Sequence, residues 1–340
     1  MNWSDIVILF GGSSDERLVS VASAQNLARQ IPEAQLLYTD LSGSLHYVSR
    51  TELQAHANPF TEQFTASTPA FAGHISKALE HLKHKTIIIA MHGTEGEDGT
   101  LQKILEQARI PFTGTGSHAS SDCFDKKVTK LKAHAAHLPV IDDFVFRSDS
   151  SFEAQLKNFY STHKKIVIKP VASGSSVGLY IINTTQDLEA AITGIKKLSI
   201  AFIAEPFITG REITVCTREN LSHQLSCLPC SEVRVIQGRQ FDYQGKYLGQ
   251  GVEELTPAPI TSEESRACQN VALQLHKLMG CFGYSRTDMI LTERGPILLE
   301  INTLPGLSKA SFVPQQLEAN QENLRDFFAQ QVTLARQRVK

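Results

Sequence analysis

The sequence has little of several features that define special classes of protein. It contains one tryptophan and six cysteines in 340 residues, and the cysteines are thinly spread. This spacing excludes a disulfide framework and favours free thiols in a reducing compartment. The formal net charge is −2, so the protein as a whole has no excess of positive charge that would attract nucleic acid. No apolar run approaches the ~20 residues that a membrane span needs. We therefore expect a cytoplasmic protein that binds neither nucleic acid nor membrane.

Length and composition indicate a globular protein of several domains. Hydrophobic residues make up 41% of the chain and charged residues 20%, which is typical of globular domains. At about 150 residues per domain, the chain holds two or three of them. In the first half, short apolar runs alternate with amphipathic stretches, which is typical of α/β units around a mainly parallel sheet. The pattern predicts strands at 6–10, 85–91 and 139–146 and helices at 16–28, 101–108 and 120–136.

The second half has more β-rich runs and fewer helices. The pattern predicts helices at 187–198 and 262–279 and strands at 165–169, 177–183, 201–205, 212–217, 284–292 and 296–302. Residues 237–259 are polar and bear glycines and aromatics, which predicts a long ordered loop. The pattern in residues 29–84 is weak and predicts little.

The last two predicted strands carry the clearest constellation of polar side chains. Residues 293–295 can form a three-residue hairpin loop with its glycine in a left-handed conformation. Symmetry about the middle residue pairs Asp288 with Glu300 and Arg286 with Asn302, all on one face. The predicted core face then carries the apolar residues Met289, Leu291, Ile297, Leu299 and Ile301.

Opposed carboxylates on this hairpin predict a cation site. Like charges directly opposite each other destabilise a sheet. Two carboxylates and an amide oxygen are hard ligands suited to Mg²⁺, and a bound cation removes the repulsion. The alternative interpretation is a solvated face of the sheet.

Two lysines indicate a phosphate site. Lys169 ends an apolar strand and precedes the small-residue loop 170–178, whose backbone N–H groups could approach a phosphate. Lys126 lies near a predicted helix. A simple glycine-serine turn and a lone surface lysine are the alternatives.

The first strand–helix turn indicates a site for a cationic group. Gly11 and Gly12 end the strand, and Asp15 and Glu16 open the helix, where these acids would repel a phosphate. They could hold a substrate ammonium group, because open α/β sheets bind ligands beyond the carboxyl ends of their strands. His92 follows a strand at the same edge. A capping acid and a loop histidine remain the alternatives.

The pair Cys227 and Cys230 could suggest zinc or redox chemistry. No second cysteine pair or nearby histidine pair completes such a site. We interpret both as packing thiols.

Several blocks of sequence occur together in a specific order: residues 9–20, 92–102, 169–178, 241–247 and 300–306. In these blocks the chain resembles the D-alanine:D-alanine ligases, which belong to the ATP-grasp superfamily. The resemblance implies a mixed α/β and α+β protein. An N-terminal parallel-sheet substrate domain would span 1–117, and two ATP-grasp subdomains, 118–204 and 205–340, would bind ATP between two sheets.

The resemblance implies an ATP-dependent ligation of two D-alanines to D-alanyl-D-alanine for peptidoglycan precursors. One D-alanine carboxylate would take the γ-phosphoryl group, and the amine of a second would attack the acylphosphate. Two alternatives stay open. One is a ligase of the same fold that uses D-serine, D-lactate or another amino acid as second substrate, and the other is a non-catalytic nucleotide-binding protein. Members of this family are often homodimers, so we expect one.

The resemblance also assigns roles to individual residues. The implied ATP-binding residues are Lys126, Lys169, Ser175, Ser176, Glu205, Pro206, Phe207, Ile208, Glu212 and Lys246. Two Mg²⁺ or Mn²⁺ ions are expected with ATP, and the implied ligands are Asp288, Glu300 and Asn302.

Further residues resemble the family's substrate site. Glu16 matches the acid on the first D-alanine's ammonium, and His92 lies near that substrate's carboxylate. The acyl oxygen would be held by Arg286 and the N–H of Gly306, and the second substrate's carboxylate would contact Ser311. The residues implied to close the site with Glu16 are Ser175 and Tyr247.

Three positions bear on selectivity. Tyr247 favours a dipeptide product, because relatives that make D-alanyl-D-lactate usually lack this tyrosine. Leu18 stands where many members carry a polar or charged residue, and Phe312 adds bulk beside the second subsite. A narrower or altered range of second substrates is therefore expected.

Overall fold

The first sheet organises the N-terminal part of the chain in the computed structural model, which describes residues 1–148, 151–172, 178–235 and 252–339. Its strands are β1 (Ile6–Gly11), β2 (Gln35–Thr39), β3 (Leu45–Val48) and β4 (Thr86–Ile89). The order is β3-β2-β1-β4; β1 pairs parallel with β2 and β4, and β3 is antiparallel. The predicted parallel sheet is therefore confirmed, and the weakly patterned segment 29–84 supplies two of its strands.

Helices connect the strands of this first sheet. They are α1 (Arg17–Gln30), α2 (Arg50–Ala55), α3 (Ile75–Leu82) and α4 (Thr100–Gln107), after a short 3₁₀ helix Trp3–Asp5. The turn from β1 into α1 depends on Gly11, whose φ is +94°. A Cβ at this position would lie 2.2 Å from the carbonyl oxygen of Thr39. Only glycine fits there, and the chain can then bring the start of α1 to the edge of the sheet.

The second sheet is antiparallel and lies in the middle of the chain. Its strands are β5 (Phe144–Arg147), β6 (Ile166–Pro170), β7 (Tyr180–Ile182) and β8 (Ala201–Pro206). The order is β5-β8-β6-β7, in which β6 and β7, predicted as strands at 165–169 and 177–183, pair antiparallel. Residues 173–177 between them lie outside the described residues. The helices α7 (Phe152–His163) and α8 (Thr185–Ile195) enclose an apolar core with this sheet.

The predicted helix at 120–136 is two helices. They are α5 (Ser117–Phe124) and α6 (Lys126–Ala135). The break occurs because Asp125 has an extended backbone and its carboxylate accepts the N–H groups of Lys127 and Val128, which caps α6. The predicted strand at 139–146 is also shorter, since only β5 is a strand and Val140 makes an isolated bridge to Leu298.

The third sheet provides the largest polar face. Its strands are β9 (Arg211–Glu219), β10 (Leu225–Cys227), β11 (Ser231–Val235), β12 (Val252–Leu255), β13 (Tyr284–Thr292) and β14 (Gly295–Asn302). The order is β12-β11-β9-β13-β14, with β10 beside β9. Helix α9 (Ser262–Leu278) packs on one face. The prediction of a loop at 237–259 is therefore wrong for residues 252–255, which form strand β12 and pair with β11.

The hairpin β13–β14 has the predicted pairs but a different loop. Asp288 pairs with Glu300 and Arg286 with Asn302, as predicted. The turn is shorter than predicted, because Thr292 pairs directly with Gly295, and an irregularity after Asp288 shifts the register by one residue. This bulge restores the polar pairs. The core prediction changes with it: Leu298 is buried, whereas Ile297 and Leu299 are only half-buried.

The C-terminal helices return to the N-terminal sheet. They are α10 (Phe312–Ala319) and α11 (Leu324–Arg338). Phe327 and Phe328 of α11 share one apolar core with β1 and β4. None of the helices in the described ranges combines the length and the apolarity needed to cross a bilayer. The domain boundaries near 117 and 204 stay predictions.

We expect Arg338→Ala to lower the free energy of unfolding by about 2 kcal/mol, measured by urea denaturation. The guanidinium of Arg338 donates to the carbonyls of Phe112 and Gly114, at 2.8 Å each, and covers the Phe112 ring. Burial lowers the pKa of Arg338 to about 10. Arg294→Ala, in the exposed β13–β14 turn, is the control and should change stability by less than ~0.5 kcal/mol. Equal midpoints for both variants would contradict this role.

Candidate active site

A cavity opens between the first sheet, the polar face of the third sheet and the loop that follows β14. Its empty space, counted with the open solvent at its mouth, is about 630 Å³, of which about 50 Å³ is accessible to the centre of a water-sized sphere. Several sequence-predicted residues line it: Glu16, His92, Arg286, Glu300, Asn302, Gly306, Ser311 and Phe312. The structure therefore brings these residues, which are far apart in the chain, to one cavity.

Arg286, which lines this cavity, and Asp288 beside it are both buried. They are two residues apart on β13 and therefore point to the same face. Arg286 donates from Nε to Asp288 Oδ1 at 2.9 Å and from a terminal nitrogen to Oδ2 at 2.6 Å. Thr214 pairs with Asp288 in the register of β9 and donates its hydroxyl to Oδ1 at 2.5 Å. Both charged side chains are thus rigidly held.

Each carboxylate of the predicted cation site already has a basic partner. Asp288 is paired with Arg286, and Glu300 Oε2 lies 3.2 Å from Lys126 Nζ. The repulsion expected from the sequence is therefore offset by protein cations. Asn302 Oδ1 accepts the N–H of Leu304 at 3.0 Å, which fixes the end of β14. The oxygens of Asp288, Glu300 and Asn302 could still hold a divalent cation, because oxygen acceptors have more than one lone pair.

A lysine cluster lies between the second sheet and α6. Glu205 Oε1 is 2.6 Å from Lys130 Nζ, and its Oε2 is 2.9 Å from Lys169 Nζ. Burial alone would raise the pKa of Glu205, but Lys169 and Lys130 hold it below its usual value. Burial likewise opposes the charge of Lys169, yet Glu205 and Glu300 raise its pKa. With Lys126 one helical turn before Lys130, the cluster concentrates positive charge suited to phosphate.

Sequence reasoning missed Lys130. Its signal was the spacing of four residues from Lys126, which places both lysines on one face of α6. Burial lowers the pKa of Lys130 despite the neighbouring carboxylate of Glu205. The family resemblance implies that Glu205 binds ATP; in the structure its carboxylate contacts Lys130 and Lys169.

The remaining predicted nucleotide residues lie where the second sheet connects to the third. Pro206 ends β8, and the N–H of Phe207 donates to the carbonyl of Lys165 at 2.9 Å. The Lys165 ammonium lies 3.5 Å from the centroid of the Phe207 ring. Ile208 follows in this connection, and Glu212 is the second residue of β9. The segment therefore links the lysine cluster to the polar face.

Glu16, His92 and Glu97 form a buried group at the carboxyl edge of the first sheet. Glu16 directly precedes α1 and is 8% exposed. Both ring nitrogens of His92 are used: Nδ1 lies 2.9 Å from the carbonyl of Leu304, and Nε2 lies 2.9 Å from Ser23 Oγ. The predicted substrate contact of His92 would thus compete with bonds to the protein.

Glu97 was missed by sequence reasoning, although it lies in the block 92–102. Its Oε1 accepts the N–H of Gly93 at 3.1 Å and lies 3.6 Å from Nδ1 of His92. Burial and the nearby charge of Glu16 raise the pKa of Glu97. Its only signal in the sequence was a turn rich in acids, which is equally typical of a surface loop.

The loop after β14 brings Gly306, Ser308 and Ser311 to the cavity. Ser311 directly precedes α10 without capping it, and its Oγ lies 2.8 Å from Ser308 Oγ. Ser311 therefore lines the cavity with a hydroxyl that bonds to Ser308 rather than to its own helix. Phe312 is buried and packs against Val233 of β11.

We expect Gly306→Ala to raise the KM for the amino-acid substrate about tenfold, since a hydrogen bond of about 1.5 kcal/mol is lost. A Cβ on residue 306 would lie 2.7 Å from Ser311 Oγ, so the hydroxyl must rotate away. Steady-state kinetics measure the change. Gly73→Ala is the control, because nothing lies within 4 Å of its Cβ position. Wild-type kinetics in Gly306→Ala would contradict the role of this hydroxyl.

Four predicted site residues lie outside the described residues: Ser175, Ser176, Lys246 and Tyr247. Their predicted roles stay predictions.

The sheets and the cavity define a class of protein. A parallel-sheet domain precedes two antiparallel sheets with a lysine cluster between them, which is the ATP-grasp architecture. The family model of the D-ala D-ala ligase N-terminus matches residues 5–115, and that of the D-ala D-ala ligase C-terminus matches residues 133–332. The chain therefore belongs to the D-alanine–D-alanine ligase family.

Individual relatives agree with this family. The chain is 32% identical to a D-alanine–D-alanine ligase of Halalkalibacterium halodurans, covering 91% of this chain and 92% of the relative. It is 30% identical to a ligase of the same name from Cupriavidus pinatubonensis, covering 96% and 90%. Among solved structures, the VanG D-Ala:D-Ser ligase of Enterococcus faecalis superposes with a TM-score of 0.79 at 25% identity, covering 97% and 98%.

Proposed function

We propose that this chain is an ATP-dependent D-alanine–D-alanine ligase that serves peptidoglycan precursor synthesis. One contact carries the proposal: Lys126 Nζ lies 3.2 Å from Glu300 Oε2, and Glu300 also lines the amino-acid cavity. This contact joins the lysine cluster to the cavity. A phosphate bound by the lysines would therefore lie beside the carboxylate of a bound amino acid.

In the first step, a carboxylate oxygen of D-alanine attacks the γ-phosphorus of ATP, the bond to the β-phosphate oxygen breaks, and ADP leaves. Glu16 would hold the substrate ammonium group by charge, as its position at the cavity edge supports. Lys126 and Lys169 would hold the phosphates. Their contribution is positioning and charge stabilisation, because phosphoryl transfer needs little covalent chemistry from the protein.

Asp288, Glu300 and Asn302 would hold two Mg²⁺ or Mn²⁺ ions. Among the described residues, no group of three His, Cys, Asp or Glu side chains forms a metal site. Two carboxylates and an amide nevertheless fit Mg²⁺, which takes few protein ligands and completes its shell with water and substrate phosphates. Such ions, when bound, neutralise charge on the phosphoryl oxygens.

In the second step, the neutral amine of another D-alanine attacks the acylphosphate carbonyl carbon, and inorganic phosphate leaves with the bonding pair and takes up the proton that the nitrogen loses. The carbonyl oxygen becomes an oxyanion in the tetrahedral intermediate. Arg286 and the N–H of Gly306, which line one cavity, would stabilise that charge. Ser311 would bind the carboxylate of the second substrate, with Phe312 limiting the space beside it. Ser175 and Tyr247 would complete the closed site, and Ser176 and Lys246 would contact ATP.

Phosphate release and mass spectrometry of the product test this function. With ATP and Mg²⁺, D-alanine should give phosphate and D-alanyl-D-alanine, whereas L-alanine should give neither. Mixtures of D-alanine with D-serine or D-lactate test the alternative second substrates. Release only with a mixed pair would favour the alternative ligase, and ATP binding without release would favour a non-catalytic protein.

The family resemblance also supports a cytoplasmic homodimer. Sedimentation of the purified protein tests the dimer, and fractionation of cells that produce it tests the compartment. A monomer at all concentrations would contradict the first of these proposals.

A further inference from the structure

Helix α1 is tied to the loop after β14 by buried hydrogen bonds that no predicted role explains. Ser23 Oγ accepts the N–H of Leu307 at 3.1 Å. Asn26, one turn later on α1, donates from Nδ2 to the carbonyl of Leu307 at 2.8 Å. Both backbone groups of Leu307 are therefore held by side chains of α1, nearly 300 positions earlier in the chain.

His92 holds the other side of the same loop. A carbonyl only accepts, so the 2.9 Å contact with Leu304 requires the proton on Nδ1 of His92. In the neutral tautomer with this proton, Nε2 is an acceptor and receives the hydroxyl proton of Ser23 at 2.9 Å. The oxygen of Ser23 still accepts from Leu307. Each donor in this chain of hydrogen bonds therefore has an acceptor, and the bonds together hold the loop, His92 and helix α1 in one relative position.

These bonds bracket Gly306. Leu304 and Leu307 are both buried, and they flank Gly306, which lines the cavity. An N–H group stabilises an oxyanion only within a few tenths of an ångström of the right position. A glycine has no side chain to fix its own peptide group, so the neighbouring residues must fix it.

We propose that Ser23 and Asn26 are positioning residues: by holding Leu307 they set the Gly306 N–H in place for the oxyanion of the ligation step. This inference rests on the proposed function. Neither Ser23 nor Asn26 is among the residues that line the cavity, so they act through the loop. Their removal should weaken binding of the tetrahedral intermediate and leave nucleotide binding intact.

The test uses Ser23→Ala and Asn26→Ala in the full-length protein. We expect kcat for D-alanyl-D-alanine formation to fall about tenfold or more in each, because a displaced oxyanion donor loses part of its effect. The KM for ATP should stay within twofold of wild type (about 0.4 kcal/mol). The probe for the intermediate is a phosphinate analogue of D-alanyl-D-alanine, whose tetrahedral phosphorus replaces the carbonyl carbon. Its affinity should fall in parallel with kcat, whereas the affinity for ADP should not.

Ser120→Ala is the matched control. Ser120 is a fully buried helical serine whose hydroxyl donates to the carbonyl of Thr115, away from the loop. It should lower the melting temperature as Ser23→Ala does but keep the phosphinate affinity. The inference is overturned if Ser23→Ala or Asn26→Ala binds the phosphinate as tightly as wild type does. It is also overturned if Ser120→Ala lowers the phosphinate affinity by the same factor. Should Ser23→Ala not fold, Asn26→Ala decides alone. A wild-type protein that makes no D-alanyl-D-alanine would instead contradict the proposed function.

Discussion

Arg286→Lys is expected to lower kcat by about a hundredfold to a thousandfold, which is the usual effect of removing one oxyanion donor. The guanidinium of Arg286 holds Asp288 with two parallel hydrogen bonds and still lines the cavity. A lysine keeps the charge but has a single ammonium group, which cannot make both bonds and face the oxyanion. Replacing the two-pronged guanidinium by an ammonium group would therefore weaken stabilisation of the transition state without changing the net charge.

Phosphate-release kinetics under saturating substrates measure this effect. Arg211→Lys is a closely matched control, because Arg211 makes the same two-bond contact with Glu232, at 2.8 and 2.6 Å, in the same sheet. We expect Arg211→Lys to keep kcat within about threefold of wild type, which is under 1 kcal/mol. If Arg286→Lys were as active as the control, Arg286 would not stabilise the oxyanion.

The site hairpin shows how far a sequence can predict local geometry. The symmetry of a three-residue loop about Arg294 was enough to pair Asp288 with Glu300, as the structure has them. The predicted loop was nevertheless one residue too long, and a bulge after Asp288 compensates for the difference. The sequence pattern does not reveal this compensation. A loop shorter by one residue shifts the strand pairing one way, and the bulge shifts it back, so the polar pairs are the same in both arrangements. The buried residue Leu298 was therefore missed, although the polar pairs were right.

Contacts between distant elements could not be predicted in this way. Glu205 meets Lys169 through the pairing of β8 with β6, but it meets Lys130 only because the second sheet packs against α6, and no periodicity encodes that packing. The same holds for Ser23, whose position on α1 looks like an ordinary small residue of a packed helix. The partners of these side chains are 75 and 284 positions away in the chain, so only the tertiary structure shows which residues they contact.

The two carboxylates of the proposed metal site should respond differently to neutralisation. Asp288→Asn and Glu300→Gln are each expected to lower kcat about a hundredfold, since several kcal/mol of charge stabilisation depend on the metal. The Mg²⁺ concentration that gives half-maximal rate should rise in both. Their stabilities without Mg²⁺ should differ, because the burial of the two carboxylates differs.

Asp288→Asn leaves the buried guanidinium of Arg286 without its carboxylate, so we expect a loss of about 3 kcal/mol in the free energy of unfolding. Glu300 makes a 3.2 Å contact with Lys126 and its side chain is 31% exposed, but the side chain of Lys126 is only 8% exposed, so we expect a loss of about 1 to 2 kcal/mol, below that of Asp288→Asn. Urea denaturation in EDTA measures both values. If repulsion between the two carboxylates outweighed these contacts, both metal-free variants would instead be more stable than wild type. That result would mean that Arg286 and Lys126 do not offset the paired charges, and a variant that kept full activity would remove its residue from the metal site.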